Sequence, residues 1–469
     1  MHLWLQWWGI VKLLRPAFTR SRTFLWFSLC LVGVTVRIDL RGVTSIVRSL
    51  GLRAVFYDRL LDFFHSKAIM VDVVATMWCR LLITHLPESV VPRVNGRLIF
   101  IGDGIKKAKT GRKMPAVKLL HQESANNTKP EYIYGHSCQA IALLVGCAQS
   151  FFALPLTCRI HEGVVFSNRA TKSLLDKMVD LIVSLTIGQP YYFVLDAYYA
   201  SSVMAKGLIR NGGHLVSRVR SNAAAYYCAE QPTGKKRGRK KIYGEKIKLK
   251  SLFKKTDSFM EAPSPVYGEI GVTIRYFTLD LLWRPIGTLI RFVLVDHPLR
   301  GSIILMSTDL ALLPLDIVKI YGFRFKIEVS FKQAIYTTGT YAYHFWMAAM
   351  TRRPNKSGNQ YLHRKSKYYR DQVVRKMRAY HCHMQIGVVA QGMIQYLSLT
   401  STQMVWKSFG SWIRTIREGI YPSEQITALA LRNAIPEFLV DSPEDHILAK
   451  FIRDKIDLDR QEGVKLLAA

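Results

Sequence analysis

Apolar positions along the chain follow two different rhythms, and the change between them divides the sequence. Up to about residue 95, apolar patches alternate with Arg and Asp at helical spacing, as in Leu50-Gly-Leu-Arg-Ala-Val-Phe-Tyr-Asp-Arg-Leu-Leu-Asp-Phe-Phe64, which predicts a helical region over 1–95. The apolar stretch 24–36 has 13 residues, whereas a helix needs about 18 or more to cross a bilayer. It is expected to be a core helix. From Arg97 the pattern changes to short runs rich in β-branched and aromatic residues. Runs over 97–105, 132–147 and 151–161, separated by turn-forming or polar stretches, predict a three-stranded meander.

A helical stripe follows at Leu174, Met178, Leu181, Ile182 and Leu185. The run Tyr191-Tyr-Phe-Val-Leu-Asp196 predicts a buried strand ending in a carboxylate. A helix through Met204 and Leu208 closes at Gly212 and Gly213, where glycine suits the C-terminal cap, and a strand over 214–220 comes next. The order is βββαβαβ. The pattern then breaks at the Lys/Arg/Gly run 231–241, followed by strand-like pieces up to Trp283, which predicts an insertion over 221–285. Runs at 289–295 and 302–307 flank a Pro- and Gly-containing connection and predict a hairpin. Residues 321–332 read as one helix, and 351–469 as a helical region with a basic start. The divisions are therefore 1–95, 96–220, 221–285, 286–350 and 351–469.

Charge narrows the class of partner. With 66 Lys and Arg against 33 Asp and Glu, the chain carries a formal charge of +33, which favours a polyanion such as nucleic acid. Hydrophobic residues make up 49% of 469 positions, so the chain can build large cores and is no basic tail. Seven cysteines without paired spacing fit a reducing cytoplasm. The first residues lack the basic region and small-residue cleavage site of a secretory signal, so no export and no membrane association are expected. No phosphate-binding Gly-x4-Gly-Lys-Ser/Thr loop is present, and His381-Cys-His383 has no zinc-ligand spacing.

The candidate chemistry rests on three acids. Asp103 lies in Gly102-Asp-Gly104 at the expected mouth of the first strand, Asp196 at the end of another, and Glu328 in the helical stretch 321–332. Carboxylates gathered at one buried site require cations. Each acid also has a structural reading: Asp103 as a turn residue, Asp196 as a helix cap, and Glu328 as half of a surface pair with Arg324 or Lys332. Asp309, after another apolar strand, is a rival acid with a helix-start alternative. At 100° per residue Tyr321, Arg324, Glu328 and Lys332 share a helix face. The basic stretch 106–113, including Lys106, Lys107, Arg112 and Lys113, reads as a DNA-backbone contact or a solvated loop.

Together these residues resemble the DDE transposases of bacterial insertion sequences. Tyr321, Arg324 and Glu328 match the Tyr-x2-Arg-x3-Glu part of the Tyr-x2-Arg-x3-Glu-x6-Lys signature of one group. The lysine position falls on Ile335, and Lys332, one turn after Glu328, is the candidate replacement. The resemblance implies an α/β fold with an RNase H-like core, a mixed five-stranded sheet with helices, interrupted by a strand-rich insertion and flanked by helical regions. The N-terminal region would bind DNA ends, and the C-terminal one would contact DNA or dimerise. It further implies that Asp103, Asp196 and Glu328 hold two Mg²⁺ ions, which Mn²⁺ can replace. Tyr321, Arg324, Lys332 and the 106–113 cluster would contact double-stranded DNA, and a homodimer would cut and join inverted-repeat ends at the nucleoid. A catalytically idle DNA-binding regulator derived from such an enzyme is the alternative.

Overall fold

The computed structural model describes residues 2–40, 42–122, 130–147, 150–169, 171–230, 241–410, 416 and 419–459. Helices α1 (Leu3–Val11), α2 (Ser21–Val36), α3 (Phe56–His65) and α4 (Val71–His85) open the chain. From Phe24 to Val36 nearly every side chain of α2 is buried, so the expected core helix is present. Among the described residues, no helix is long and apolar enough to cross a membrane.

The meander follows as β1 (Arg97–Ala108), β2 (Tyr132–Cys147) and β3 (Ser150–Ile160). Next come α5 (Leu174–Ser184), β4 (Tyr191–Leu195), α6 (Ser202–Ile209) and β5 (Gly213–Arg218). Helix α5 starts at a reciprocal cap between Ser173 and Asp176, and Gly212 takes the left-handed conformation after α6 at φ 75°. In the sheet these strands lie in the order β3-β2-β1-β4-β5; β1, β2 and β3 pair antiparallel, while β4 and β5 run parallel to β1.

The sheet is larger than the five strands expected. Among the described residues it has 13 strands: β6 (Ala224–Cys228), β7 (Thr273–Trp283), β8 (Thr288–His297) and β9 (Gly301–Ser307) extend it beyond β5, with β9 paired directly to β5, and four short strands at Arg93–Val94, Lys118–His121, Tyr243–Lys248 and Met260–Pro263 complete it. Phe292, Val293, Leu294, Leu305 and Met306 are buried, and a strand apolar on both faces belongs inside a sheet rather than in a separate module. The hairpin expected at 289–307 is β8–β9. Most of the Lys/Arg/Gly run 231–241 lies outside the described residues.

Side chains along the central strands alternate between two cores. Tyr192 and Val194 join Ile99, Ile101, Val216 and Val293 in one core, while Tyr191, Phe193 and Leu195 join Leu98, Phe100 and Leu215 in the other. Each fully buried apolar side chain contributes roughly 1.5–3 kcal/mol. The first core is closed by α7 (Pro314–Gly322) and α8 (Phe325–Tyr336) through Ile317, Ile320, Phe323 and Ile327.

The helices at the two ends of the chain form one layer. The long α9 (Lys367–Thr400) packs against α2, α3 and β3, and α10 (Glu424–Asp441) packs against α1, α2 and α9. This layer grips α8 at two points. The buried Arg37 guanidinium, just after α2, donates to the carbonyls of Gly42, Thr338 and Gly339. Gln391 of α9 donates from Nε2 to the Ser330 carbonyl and hydroxyl at 3.0 and 3.1 Å.

Candidate active site

Asp103 and Asp196 reach one face of the sheet by register alone. Ile99 pairs with Tyr192 and Ile101 with Val194 on the parallel strands β1 and β4. Two residues further along each strand stand Asp103 and Asp196, on the face that Ile101 and Val194 share. Adjacent strands run about 4.8 Å apart, so the two acids are neighbours.

Asp103 is not at the mouth of its strand. It lies within β1, opposite Ala140 of β2, and pairing continues to Ala108. The Gly-Asp-Gly sequence is therefore not a turn. A Cβ on Gly102 would lie 2.5 Å from the Phe193 ring, so glycine is needed where that ring crosses β1. Asp196 follows β4 directly, and its Oδ1 accepts the Tyr198 N–H at 3.1 Å, so the cap role anticipated for it is present at the same position.

Glu328 comes from α8, which faces this side of the sheet. The single helix expected over 321–332 is broken: α7 ends at Gly322 and α8 begins at Phe325, with Arg324 N–H bonded to the Tyr321 carbonyl three residues back. A Cβ on Gly322 would be 3.2 Å from Val266, so the chain approaches the β7 side closely where the helix is interrupted. Tyr321 thus belongs to α7 and not to the Glu328 helix. Lys332 is exposed one turn beyond Glu328.

Arg324 joins the two sides. Its guanidinium donates to Asp103 Oδ2 at 3.0 Å and to Glu328 Oε1 at 2.5 Å. The side chains of Asp103 and Arg324 are 17% and 21% exposed, that of Glu328 58%. Burial pushes the Asp103 carboxyl up to about 6 against the pull of Arg324, and the charges of Asp196 and Glu328 push it the same way. Burial opposes the charge on Arg324, yet Asp103 first, then Tyr321 and Glu328, hold it above its usual range. Burial raises the Tyr321 hydroxyl as well, with Arg324 and Arg218 acting against the rise and Asp196 and Asp103 adding to it. Among the described residues, no three His, Cys, Asp or Glu side chains stand close enough to hold a metal ion. Glu328 meets Arg324 instead.

The basic cluster falls progressively further away. Lys106 donates to the His121 carbonyl, Lys107 is half-buried, and Arg112 and Lys113 lie in the loop past the end of β1. Lys109, within the same stretch, is buried and donates to the carbonyls of Tyr341 and Tyr343, with its amine pulled down to about 7 by burial. Asp309 sits at the opposite end of β4 and is structural: it accepts the Tyr192 hydroxyl at 2.7 Å and the Ala311 N–H at 2.9 Å. His381, half-buried in α9, accepts the Ile160 N–H, and His383, buried in the same helix, bonds the Thr340 carbonyl.

One element of the site escaped the sequence reading. On the other face of β1, beneath Gly104, Gln139 donates to the Tyr199 hydroxyl at 3.0 Å and meets His161 Nδ1 at 2.5 Å. Burial, then the charges of Lys177 and Arg159, pull His161 down to about 4. A glutamine inside the apolar run 132–147 was the available signal, because a buried amide requires partners.

Comparison with known proteins bears on these residues. The profile described as DDE superfamily endonuclease matches residues 13–262, more than half of the 469-residue chain. The chain belongs to that family. The match spans both aspartates of this DDE superfamily endonuclease and ends before Glu328. A solved piggyBac transposase synaptic complex with hairpin DNA superposes with 93% of this chain and 76% of that one covered, at 13% identity and a TM-score of 0.38. No curated protein matches.

Proposed function

We propose that this endonuclease is the DNA transposase of an insertion sequence, binding terminal inverted repeats and catalysing metal-dependent strand cleavage and strand transfer. The observation that carries the reading is the side-by-side placement of Asp103 and Asp196 on parallel strands, with the Glu328 helix facing them. The strand order β3-β2-β1-β4-β5 supports assigning this part of the sheet to the RNase H-like fold, with the strands β6 and β7 of the stretch 221–285 as its insertion.

The donor set suits a divalent cation. Burial and two neighbouring acids already disfavour the ionised Asp103, and a cation between the carboxylates relieves that excess of negative charge. Asp103, Asp196 and Glu328 would hold two Mg²⁺ ions, with Mn²⁺ able to substitute. When bound, these ions supply Lewis acidity for the attacking and leaving oxygens of phosphoryl transfer. Glu328 joins the set when Arg324 releases it. Arg324, freed, offers its planar guanidinium to a phosphate bidentately, and Lys332 adds a charge on the exposed side of α8. Tyr321 supports the DNA backbone beside them, and Lys106, Lys107, Arg112 and Lys113 follow the duplex away from the site. The protein acts as a homodimer on double-stranded DNA in the cytoplasm, at the nucleoid.

The test is Mg²⁺-dependent cleavage of DNA carrying the element's own ends, comparing wild type with Asp103→Asn, Asp196→Asn and Glu328→Gln. Wild type should cut, and all three variants should bind without cutting. Binding without cleavage by the wild type would replace this reading with that of an idle DNA-binding regulator.

A further inference from the structure

We infer that the segment 346–370, together with the loop after β1, forms a second DNA-binding surface that holds the flank of the cleaved DNA and stacks an unpaired base on Trp346. The inference rests on the nuclease reading above for its partner and adds a site to it.

Charge is the first observation. Residues 352–378 contain ten Lys or Arg and one acid, Asp371. Among the described residues, Arg352, Arg364 and Lys367 are exposed and take part in no ion pair. Such self-repulsion is relieved by a polyanion.

Aromatic exposure is the second. Trp346 is 63% exposed, Tyr361 60% and Tyr368 70%, whereas the tryptophans at 4, 7, 26, 78, 283 and 406 are buried. Large rings left in water among cations match the way single-stranded nucleic acid is held, with phosphates on Lys and Arg and bases stacked on aromatic faces.

Rigidity is the third. The segment has its own small core of Met347, Met350, Leu362 and Val373, and pairs a strand at Gln360–Tyr361 with one at Val164–Val165. It is sewn to the loop after β1 by bonds from Met347 N–H to the Lys113 carbonyl (2.9 Å) and from Arg353 N–H to the Arg112 carbonyl (3.1 Å). A Cβ on Gly111 would lie 3.0 Å from Trp346 Nε1, so the indole rests against bare backbone between the Arg112 and Lys113 side and its own segment. An exposed ring fixed in this way loses little freedom on binding.

Position fits the flank. From Asp103 to Ala108, β1 covers roughly 17 Å at about 3.3 Å per residue, which corresponds to about five base pairs. An anionic membrane fits less well, because the apolar residues of α9 from Ala379 to Leu399 are buried, and before them the exposed Val374 stands among charged residues rather than on an apolar helix face.

The full-length protein is titrated with labelled duplex DNA of arbitrary sequence, blunt or carrying a short single-stranded end, across a range of salt. Replacing Arg352, Arg364 and Lys367 together by Glu should weaken binding at least tenfold and lower the salt slope by about two to three, as loss of that many phosphate contacts predicts. Trp346→Ala should weaken binding of the single-stranded end by about tenfold and leave the blunt duplex within twofold. Thermal melting confirms that both variants fold. The inference is overturned if both variants bind both DNAs as wild type does, or if they lose binding to phosphatidylglycerol vesicles and not to DNA. Loss of binding in these variants with a wild type that never cuts would remove the nuclease reading and leave this surface standing. Normal binding with active cleavage would remove the surface alone.

Discussion

Replacing Asp103 by Asn should stabilise the metal-free protein at neutral pH and change nothing near pH 4. The Asp103 carboxyl is raised from 3.8 to about 6, with burial as the first cause. A carboxyl raised on folding keeps a proton that the unfolded chain has already released, so stability falls as pH climbs from about 4 to 6 and the penalty is complete above that. Two pKa units correspond to about 3 kcal/mol. The side chain retains 17% exposure, so the expected gain for Asp103→Asn is about 1–3 kcal/mol, which for a chain of this length is about 1–3 °C in Tm. Thermal melting in chelator from pH 4 to 8 should show the variant and wild type converging at the acid end and separating by neutral pH. At neutral pH, Mg²⁺ should raise the melting temperature of the wild type and have a smaller effect on the variant. A difference that stays constant over the whole range would refute the reasoning, since it would show that the proton on Asp103 is not what the substitution replaces.

Gly102→Val forces a branched side chain into the Phe193 ring, where a Cβ alone would lie at 2.5 Å; it should cost about 1–3 kcal/mol or more in denaturant titration. Lys109 carries an amine pulled down to about 7 by burial, below its unfolded value. Wild-type stability should therefore rise between pH 7 and 9 by about 2 kcal/mol, and Lys109→Met should flatten that rise in urea melts at the two pH values. Asp309→Ala removes the acceptor for the Tyr192 hydroxyl and the Ala311 N–H; it should destabilise by about 2–3 kcal/mol while leaving the DNA cleavage rate unchanged.

The central strands were legible because they are buried on both faces. Runs such as 191–195 have no polar position to confuse their reading, and the register of β4 on β1 then delivers Asp196 beside Asp103 without further information. The extent of β1 was not legible. Glycines at 102 and 104 carry the local signature of a turn, and long-range contacts, the pairing with β2 through Ala108 and the Phe193 ring over Gly102, hold that stretch extended. The break between α7 and α8 was hidden for a similar reason: Gly322 is shaped by Val266, a residue 56 positions earlier in the sequence (322 minus 266). Helical spacing placed Arg324 and Glu328 on one face correctly, since four residues separate them whether or not the preceding turn is continuous. It could not reveal that Arg324 also reaches Asp103, a contact spanning 221 positions.

The two grips on α8 make the third acid depend on a different part of the chain from the first two. Asp103 and Asp196 are fixed by strands that lie within the first half of the chain, whereas the Glu328 helix is held by Gln391 of α9, and α9 is packed in turn against α10. Trp4, near the start, donates its indole N–H to the Leu431 carbonyl, so the layer closes only when the two ends of the polypeptide meet. A chain that stops before α9 keeps the paired strands that carry both aspartates but lacks Gln391, one of the contacts that hold the Glu328 helix. The third acid therefore depends on residues from the last part of the chain, whereas the two aspartates depend on strands that lie next to each other in the first half.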